Sequence, residues 1–420
     1  MADEHLVTIL VNTYEKGKDI AICQLEVIEE KKLPEELISL YKMQWLNYTY
    51  GMTTDLNTKL ARHLQKKGCR NTAILPGFTY EKIKKGFLIT RYTGTKPELR
   101  IEQEYGGLPV VKIADMAFEN CLNLKTLILP ESLTEIGNWA FKGCTNLVSI
   151  TMKHGVTKIA DDAFKGCISL SVISIPDSVN TIGNRAFNGC TQLSSISIPD
   201  SIKNIGDKVF KACTSLTSIV IPSGAKWIGW ETFRGCTQLA FVSLPNSIIE
   251  IGTASFKYCT NLTSISIPKR VERIGLSAFE GCSSLISIDL PKSVITVGDY
   301  TFVDCSNLVS VVLSDSIRRI NPAAFANCTN LLSINFPKNL IEIGSCAFIG
   351  CTRLSSIFIP KSTIIIKSEA FKDCISMRSI TIPDSVQEIE SASFNTAHYN
   401  DNNNWENDAL YIGHHLIWHQ

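Results

Sequence analysis

The stretch SVNTIGNRAFNGCTQLSSISIPD at residues 178–200 recurs, with small changes, as SIKNIGDKVFKACTSLTSIVIPS at residues 201–223. The same 23-residue step is kept by twelve cysteines: Cys121, Cys144, Cys167, Cys190, Cys213, Cys236, Cys259, Cys282, Cys305, Cys328, Cys351 and Cys374. A phenylalanine stands three residues before each of them, and the series closes with Phe394, where Ala397 replaces the next cysteine. A fixed period without insertions predicts a solenoid, in which each repeat buries its apolar face against its neighbours.

One segment of the repeat, S-I-x-I-P, alternates as a half-buried β-strand does. In the copy that ends at Pro268, Ile265 and Ile267 are predicted to point inward, and Ser264 and Ser266 outward. Proline then ends the strand, because it has no amide hydrogen to donate to a neighbouring strand.

A second segment, x-x-A-F-x-G-C, predicts a short helical turn on the opposite side of the repeat, with Ala, Phe and Cys facing inward. The Gly, Asn or Asp before most cysteines suits a left-handed cap, although Ala212 and Tyr258 depart from this pattern. Another glycine, after the Ile or Val that opens the segment, suggests a positive φ. Ala160, Lys367 and Glu390 occupy the same place, so a positive φ is not required in every copy.

These residues resemble the BspA-like branch of the leucine-rich repeats over about residues 91–397. The string I-G-x-x-A-F-x-G-C-x-x-L-x-S-I-x-I-P, matched copy after copy, carries the resemblance. The resemblance implies an α/β repeat solenoid, with a right-handed leucine-rich-repeat superhelix and a parallel β-sheet on its concave side. It also implies surface or adhesive binding roles, and it brings no catalytic residues.

The two ends of the chain lack the repeat. Residues 1–90 are predicted to form a small α+β N-terminal cap or, alternatively, a small domain with its own partner. The predicted elements are strands at 5–14 and 19–28 and helices at 34–48 and 54–67. Residues 398–420 are predicted to be a C-terminal cap.

Composition excludes some classes of function and compartment. The net charge is +1, from 41 basic and 40 acidic residues, so the chain as a whole has no attraction to nucleic acid or to a membrane surface. No apolar run is long enough to insert into a membrane. The first residues, MADEHLVTILVN, lack the pattern of a signal peptide, which favours the cytoplasm; a cell-surface location reached by non-classical export is the alternative.

The fifteen cysteines are compatible with disulfides or with buried thiols. A ladder of identical positions does not pair with itself unless each repeat tilts, so reduced, buried thiols are predicted. No nucleotide-binding or hydrolase motif is present, and the outward serines have no His or Lys base beside them. His414, His415 and His419 lack the Cys or carboxylate that would complete a metal site. We therefore predict no enzyme activity, no cofactor and no metal.

Candidate binding residues are the positions where the outer surface departs from the repeat. The outward strand positions are mostly serine, but Phe241 and Phe358 interrupt them. Trp227 and Trp230 stand at other positions, which polar residues usually hold. Large aromatic side chains are common anchors in protein interfaces. These four residues are thus predicted to bind another protein, or alternatively to cover neighbouring repeats.

A basic ridge lies in the column directly after Phe and comprises Lys142, Lys165, Lys211, Arg234 and Lys257. It is predicted either to steer an acidic partner or to be a solvated edge. Nucleic acid is a poor fit, because no aromatic residues are interleaved with the ridge. The predicted function is a non-enzymatic protein–protein interaction solenoid, with a cell-surface adhesin as the alternative. The sequence specifies neither the partner nor the oligomeric state.

Overall fold

The structure, a computed structural model, describes residues 77–105 and 107–394 and three short strands between residues 405 and 419. In these residues every regular element is a β-strand, and there is no helix. The predicted α/β class is therefore wrong for this part of the chain, which is a parallel β-solenoid of stacked coils. The hairpin and the two helices predicted before residue 77 lie outside the described residues.

The S-I-x segments form the first ladder of the solenoid, here called the long-strand ladder. Consecutive strands are parallel and exactly one repeat apart in most of their pairings, as in Ser149↔Val172 and Ser287↔Ser310. The Pro268 copy is not a strand in the structure, but its Ile265 and Ile267 are buried and both its serines are exposed, which confirms the predicted alternation of burial. The strands are Glu98–Arg100, Thr126–Ile128, Ser149–Thr151, Val172–Ser174, Ser218–Val220, Phe241–Ser243, Ser287–Asp289, Ser310–Val312, Ser333–Asn335, Ser356–Phe358 and Ser379–Thr381.

A second parallel ladder, which the sequence did not predict, consists of two-residue strands and is called the short-strand ladder. The first residue of each strand is half-buried or exposed. The second residue, Ile or Val, packs in the core, as Ile136 and Ile251 do. Its strands are Glu135–Ile136, Lys158–Ile159, Thr181–Ile182, Asn204–Ile205, Trp227–Ile228, Glu250–Ile251, Arg273–Ile274, Thr296–Val297, Arg319–Ile320, Glu342–Ile343, Ile365–Ile366 and Glu388–Ile389.

The x-x-A-F-x-G-C segment forms turns rather than the predicted helical turn. In the copy around Phe187, Arg185 and Gly189 both have left-handed backbones, with φ of 56° and 75°. Only three residues separate them, too few for a right-handed helical run. The amide of Phe187 instead donates to the carbonyl of Val209 in the next coil, at 3.0 Å. The segment is thus held by bonds between coils.

The position before each cysteine is left-handed in all twelve copies, as predicted for the Gly, Asn and Asp members. Ala212 and Tyr258, which looked like exceptions, have the same conformation, with φ of 59° and 63°. The backbone geometry is therefore imposed by the stack of coils even where the residue disfavours it.

The glycine after Ile or Val does not have the positive φ that the sequence suggested. Its place is explained by close packing of the coils instead. A Cβ atom at Gly183 would lie 2.6 Å from the backbone nitrogen of Asp161, and one at Gly206 would lie 2.6 Å from that of Asn184. Only a residue without a side chain allows this approach at these two positions.

A continuous stack of phenylalanine rings fills the centre of the solenoid. Thirteen rings, from Phe118 to Phe394, stack with neighbouring centroids 4.9–5.7 Å apart. All of them are at most 1% exposed. Offset stacking at this distance adds to the free energy gained from burying the rings, so each coil depends on the next for its largest core side chain.

The cysteines do more than fill small spaces in the core. Each ladder thiol from Cys144 to Cys374 donates to the carbonyl oxygen of the phenylalanine one coil earlier, at 3.0–3.3 Å. These eleven cysteines are completely buried. The thiol is a weak donor that fits an apolar site, which explains the preference for Cys over a purely aliphatic residue.

A hairpin extends the short-strand ladder at its N-terminal end, and a separate three-stranded sheet follows the repeats in sequence. At the N-terminal end, Phe78–Ile83 and Gly86–Tyr92 form a hairpin, and the second strand pairs in parallel with Leu108–Ile113, which begins the short-strand ladder. Tyr92 stacks on Phe118 with the ring centroids 5.2 Å apart. A further strand, Glu104–Tyr105, pairs antiparallel with Leu108–Ile113. The C-terminal strands Trp405–Glu406, Ala409–Ile412 and His415–His419 form an antiparallel sheet.

Candidate functional site

Two of the four predicted aromatic anchors lie on or directly after one strand of the short-strand ladder. Trp227 begins the strand Trp227–Ile228 and is paired in register with Glu250. Its side chain is 47% exposed. Trp230 follows the strand, is 59% exposed, and donates its backbone amide to Asp207 Oδ1 at 2.8 Å. The two indoles therefore belong to one coil, three residues apart, with their backbones fixed by neighbouring coils.

The other two aromatic residues lie on the long-strand ladder. Phe241 is paired with Ser218 and is 57% exposed, and Val220, diagonally across that pair, is 60% exposed. Phe358 is paired with Thr381 and is 66% exposed. The four aromatics are thus distributed over two ladders rather than gathered in one patch. Since about half of each ring or more faces solvent, contact with adjacent coils accounts for only part of each side chain.

Every cation of the predicted basic ridge contacts a carboxylate. Lys142 lies 2.9 Å from Glu119, and Lys257 lies 2.6 Å from Glu280. The remaining three pairs are Lys165 with Asp162 at 3.2 Å, Lys211 with Glu231 at 2.5 Å and Arg234 with Glu231 at 3.2 Å. These carboxylates therefore largely neutralise the positive charge of the ridge. Steering of an acidic partner by the ridge stays a prediction.

Glu231 and Asp162 are the centres of two small charge networks in this ridge. Partial burial raises the pKa of Glu231, but Lys211, with Lys208 and Arg234, outweighs it and holds that pKa below its usual value. Asp162 also contacts Arg185 at 2.9 Å, although its own side chain is only 1% exposed. These contacts tie adjacent coils together, so the ridge has a clear structural role.

A different row of cations was missed by the sequence analysis. It lies on the turn after the proline of the long strand and consists of Lys269, Arg270, Lys292, Lys338 and Lys361, all of them exposed. No carboxylate within the described ranges forms an ion pair with these five residues. The 23-residue register could have revealed this row, because four of its members share one repeat position.

The buried thiols have low reactivity. Burial raises the pKa of both Cys236 and Cys282 to about 12, so their reactive thiolate form is rare at neutral pH. No disulfide joins any cysteine between residues 77 and 394, and that part of the chain contains no group of His, Cys, Asp and Glu that could hold a metal ion. The apolar cavity beside Phe325, lined by Val297 and Leu313, has no room for a water molecule.

The family model of the BspA type leucine rich repeat region, which comprises six copies of the repeat, matches residues 111–240, 203–332 and 320–417. These matches cover well over half of the chain. The chain belongs to the BspA type leucine-rich repeat family. Proteins of this family and fold are repeat proteins that typically mediate protein–protein interactions and are generally non-enzymatic.

Solved bacterial leucine-rich repeat proteins are similar to this chain. One from Bacteroides ovatus is 26% identical, with a TM-score of 0.63, over 77% of this chain and 92% of the other. One from T. pallidum is 35% identical, with a TM-score of 0.43, over 44% of this chain and 87% of the other. A leucine rich cell surface protein from Faecalibacterium prausnitzii is 25% identical, with a TM-score of 0.43, over 75% of this chain and 93% of the other.

No curated protein sequence matches the chain. Within the part of the BspA type chain that the structure describes, no helix is available to cross a membrane. The structure and the comparisons give no support to the predicted cytoplasmic location.

Proposed function

We propose that this BspA type protein is a non-enzymatic solenoid that binds another protein through exposed side chains that vary from coil to coil. The observation that carries the proposal is the exposure of Trp227, Trp230, Phe241 and Phe358, at 47–66%, on ladders whose other outward positions are mostly small or polar. Parallel pairing holds the backbones of Trp227, Phe241 and Phe358, and a hydrogen bond to Asp207 holds that of Trp230. Each ring is therefore displayed with little loss of backbone entropy on binding.

The repeated serines alone offer a partner almost the same surface at every coil. A partner that contacted only Ser264, Ser287 and their equivalents would gain nearly the same free energy after sliding by one coil. The aromatic positions break this degeneracy, and large rigid side chains account for much of the free energy in most interfaces. Specific binding is therefore assigned to them rather than to the serine columns.

The test begins with capture of a partner by the full-length protein, from lysate and from the surface of intact cells. These two sources also separate the predicted cytoplasmic location from the alternative, adhesion at a cell surface. The affinity of the captured partner is then measured for Trp227→Ala with Trp230→Ala, and for Phe241→Ala with Phe358→Ala. The matched control is Ser264→Ala with Ser287→Ala, which changes two exposed, outward-facing serines.

We expect at least one aromatic double variant to weaken binding by about 2 kcal/mol or more per anchor that contacts the partner. The serine control should bind as the unchanged protein does. Circular dichroism and thermal unfolding establish that each variant remains folded. If both aromatic variants bind as tightly as the unchanged protein, the proposal is wrong.

A further inference from the structure

The uncompensated cations on the proline turn line one edge of the C-terminal coils. This basic edge consists of Lys269, Arg270, Lys292, Lys338 and Lys361. Four of the five occupy one repeat position, so they line up along the solenoid at multiples of the coil spacing, about 4.8 Å. From the first to the last, the row is four coils long, about 19 Å.

Asp315 occupies the same repeat position between Lys292 and Lys338, and it does not neutralise them by an ion pair. Its Oδ1 atom instead accepts a hydrogen bond from the backbone amide of Lys338, at 3.2 Å. The basic edge therefore differs from the basic ridge, whose five cations all have a carboxylate within 3.2 Å.

An aliphatic row accompanies the basic edge. Ile295, Ile341 and Ile364 each follow a lysine of the edge by three residues. Ile295 is 54% exposed, Ile364 is 36% exposed, and Ile341 is half-buried. Each is held by its backbone amide, which donates to the preceding coil, as Ile364 does to Ile341 at 2.8 Å. Glu272 and Arg318 occupy the equivalent place in the coils of Lys269 and Asp315. The strip formed by the two rows thus combines a cation with an apolar side chain in three coils.

The strip is specific to the C-terminal coils. In the N-terminal coils the position of the lysines holds Glu131, His154, Asp177, Asp200, Ser223 and Asn246. The position of the isoleucines holds Thr134, Thr157, Asn180, Lys203 and Lys226 there, and isoleucine first appears at Ile249. Since the backbone is the same in both halves, the folding of the coil does not require this combination of residues.

We propose that the strip binds an extended polypeptide segment in which acidic residues alternate with apolar ones. Successive side chains of an extended chain point to opposite sides, so acidic residues would face the basic edge while apolar residues face the isoleucines. About six residues of extended chain cover the length of the row. Nucleic acids and acidic polysaccharides supply charge, but they have no apolar side chains for the isoleucine row.

The experiment measures, by fluorescence anisotropy, the binding of a labelled peptide that alternates Asp or Glu with Leu. The full-length protein is compared with Lys338→Glu combined with Lys361→Glu. The matched control is Lys153→Glu combined with Lys203→Glu, which changes the total charge equally at two exposed lysines of the N-terminal half. A third variant, Ile295→Ser with Ile364→Ser, tests the apolar row.

We expect the edge variant to raise the Kd about tenfold or more, and the control to change it less than about twofold. The isoleucine variant should raise it about fivefold, and binding should weaken as salt is added. Trp227→Ala with Trp230→Ala should leave it unchanged, so failure of this proposal is distinguishable from failure of the aromatic one.

The proposal is overturned if the peptide does not bind, or if the edge variant and the control lose affinity equally. It is also overturned if a peptide with Ser in place of Leu binds as tightly, because the isoleucine row would then have no role. Tighter binding of dextran sulfate or of phosphatidylserine vesicles to the same edge would assign the strip to a different class of partner and would equally overturn the proposal.

Discussion

The N-terminal and C-terminal coils share one interior and differ on their surfaces. Phe187 and Phe302 are both completely buried in the same ring stack, and Cys190 and Cys305 make the same bond to a phenylalanine carbonyl. On the proline turn, by contrast, acidic and polar residues in the first half give way to lysines in the second. The interior therefore fixes the fold, and the turns are available for binding.

A second difference concerns the residue that follows the glycine after each short strand. In the N-terminal half, the side-chain oxygen of each Asp or Asn accepts the backbone amide of its equivalent one coil later, at 2.7–3.1 Å. The members of this Asx ladder are Asp115, Asn138, Asp161, Asn184 and Asp207. Aspartate and asparagine alternate, so carboxylates do not stack directly on each other. The ladder ends at Trp230, and the next coils have Thr253 and Leu276 there.

The largest expected effect tests the claim that the two halves have the same interior. Phe187→Ala and Phe302→Ala each remove a fully buried ring and leave a cavity, so each should lower the free energy of unfolding of its region by about 3–5 kcal/mol. Urea unfolding followed by circular dichroism checks this. Losses that differ between the halves by more than about a factor of two would show that the interiors are not equivalent.

A smaller effect should separate the halves. Asp161→Ala removes the acceptor of the Asn184 amide, a bond of 2.8 Å, and leaves a partly buried donor unpaired. We expect a loss of about 2 kcal/mol, because the acceptor is charged. Thr253→Ala, at the same repeat position one coil beyond the end of the Asx ladder, should cost less than about 0.5 kcal/mol. Equal losses in thermal or urea unfolding would remove the distinction between the halves.

The thiols should make stability depend on pH in the same way in both halves. The pKa of Cys236 and Cys282 is about 12 in the folded protein, above the ordinary value of 9.0. Their contribution is complete below pH 9.0 and is lost as pH rises toward 12, because the unfolded chain ionises first. Each buried thiol should lower the free energy of unfolding by about 1.4 kcal/mol per pH unit in this window.

This pH dependence is measured by urea unfolding at a series of pH values from neutral to alkaline. Cys236→Ala and Cys282→Ala should each reduce the alkaline slope by the same amount. A slope that neither substitution changes would mean that these thiols are not buried as the structure has them.

The smallest expected effect is local to the boundary between the halves. Ser255 occupies the alanine position of the repeat, is completely buried, and its hydroxyl has no hydrogen-bond partner in the described structure. Ser255→Ala should raise the free energy of unfolding by about 1 kcal/mol. Thr301→Ala, whose hydroxyl donates to Gly298 at 2.6 Å, should lower it instead. If Ser255→Ala is destabilising, its hydroxyl has a partner that the structure does not show.

Much of the fold was predictable from the repeat alone. The period, the inward isoleucines and the buried Phe and Cys columns followed from residue type and spacing. So did the left-handed Gly, Asn or Asp before most cysteines, but not the left-handed Ala212 and Tyr258. The helical turn was wrong because nothing in Arg185 or its equivalents indicates a left-handed backbone. The short-strand ladder was missed because strands of two residues, such as Glu135–Ile136, are too short to show alternation.

The surface was predictable only in part. The sequence identified Trp227, Trp230, Phe241 and Phe358 as departures, but it could not show that they are divided between two ladders. It found the basic ridge without its carboxylates, although Lys142 and Glu119 are one repeat apart and so must be neighbours in adjacent coils. Applying the same register to every column would have given the pairs of Lys142 with Glu119 and of Lys257 with Glu280, and also the basic edge.

The central claim is that each coil is stabilised mainly by its two neighbours throughout the described repeats. Hydrogen exchange with mass spectrometry on Phe256→Ala, at the boundary between the halves, tests this most directly. We expect the greatest increase in hydrogen exchange in the coil of Phe256 and in the adjacent coils of Phe233 and Phe279, with smaller increases farther away on both sides. A uniform increase across residues 77–394, with no local maximum, would contradict it.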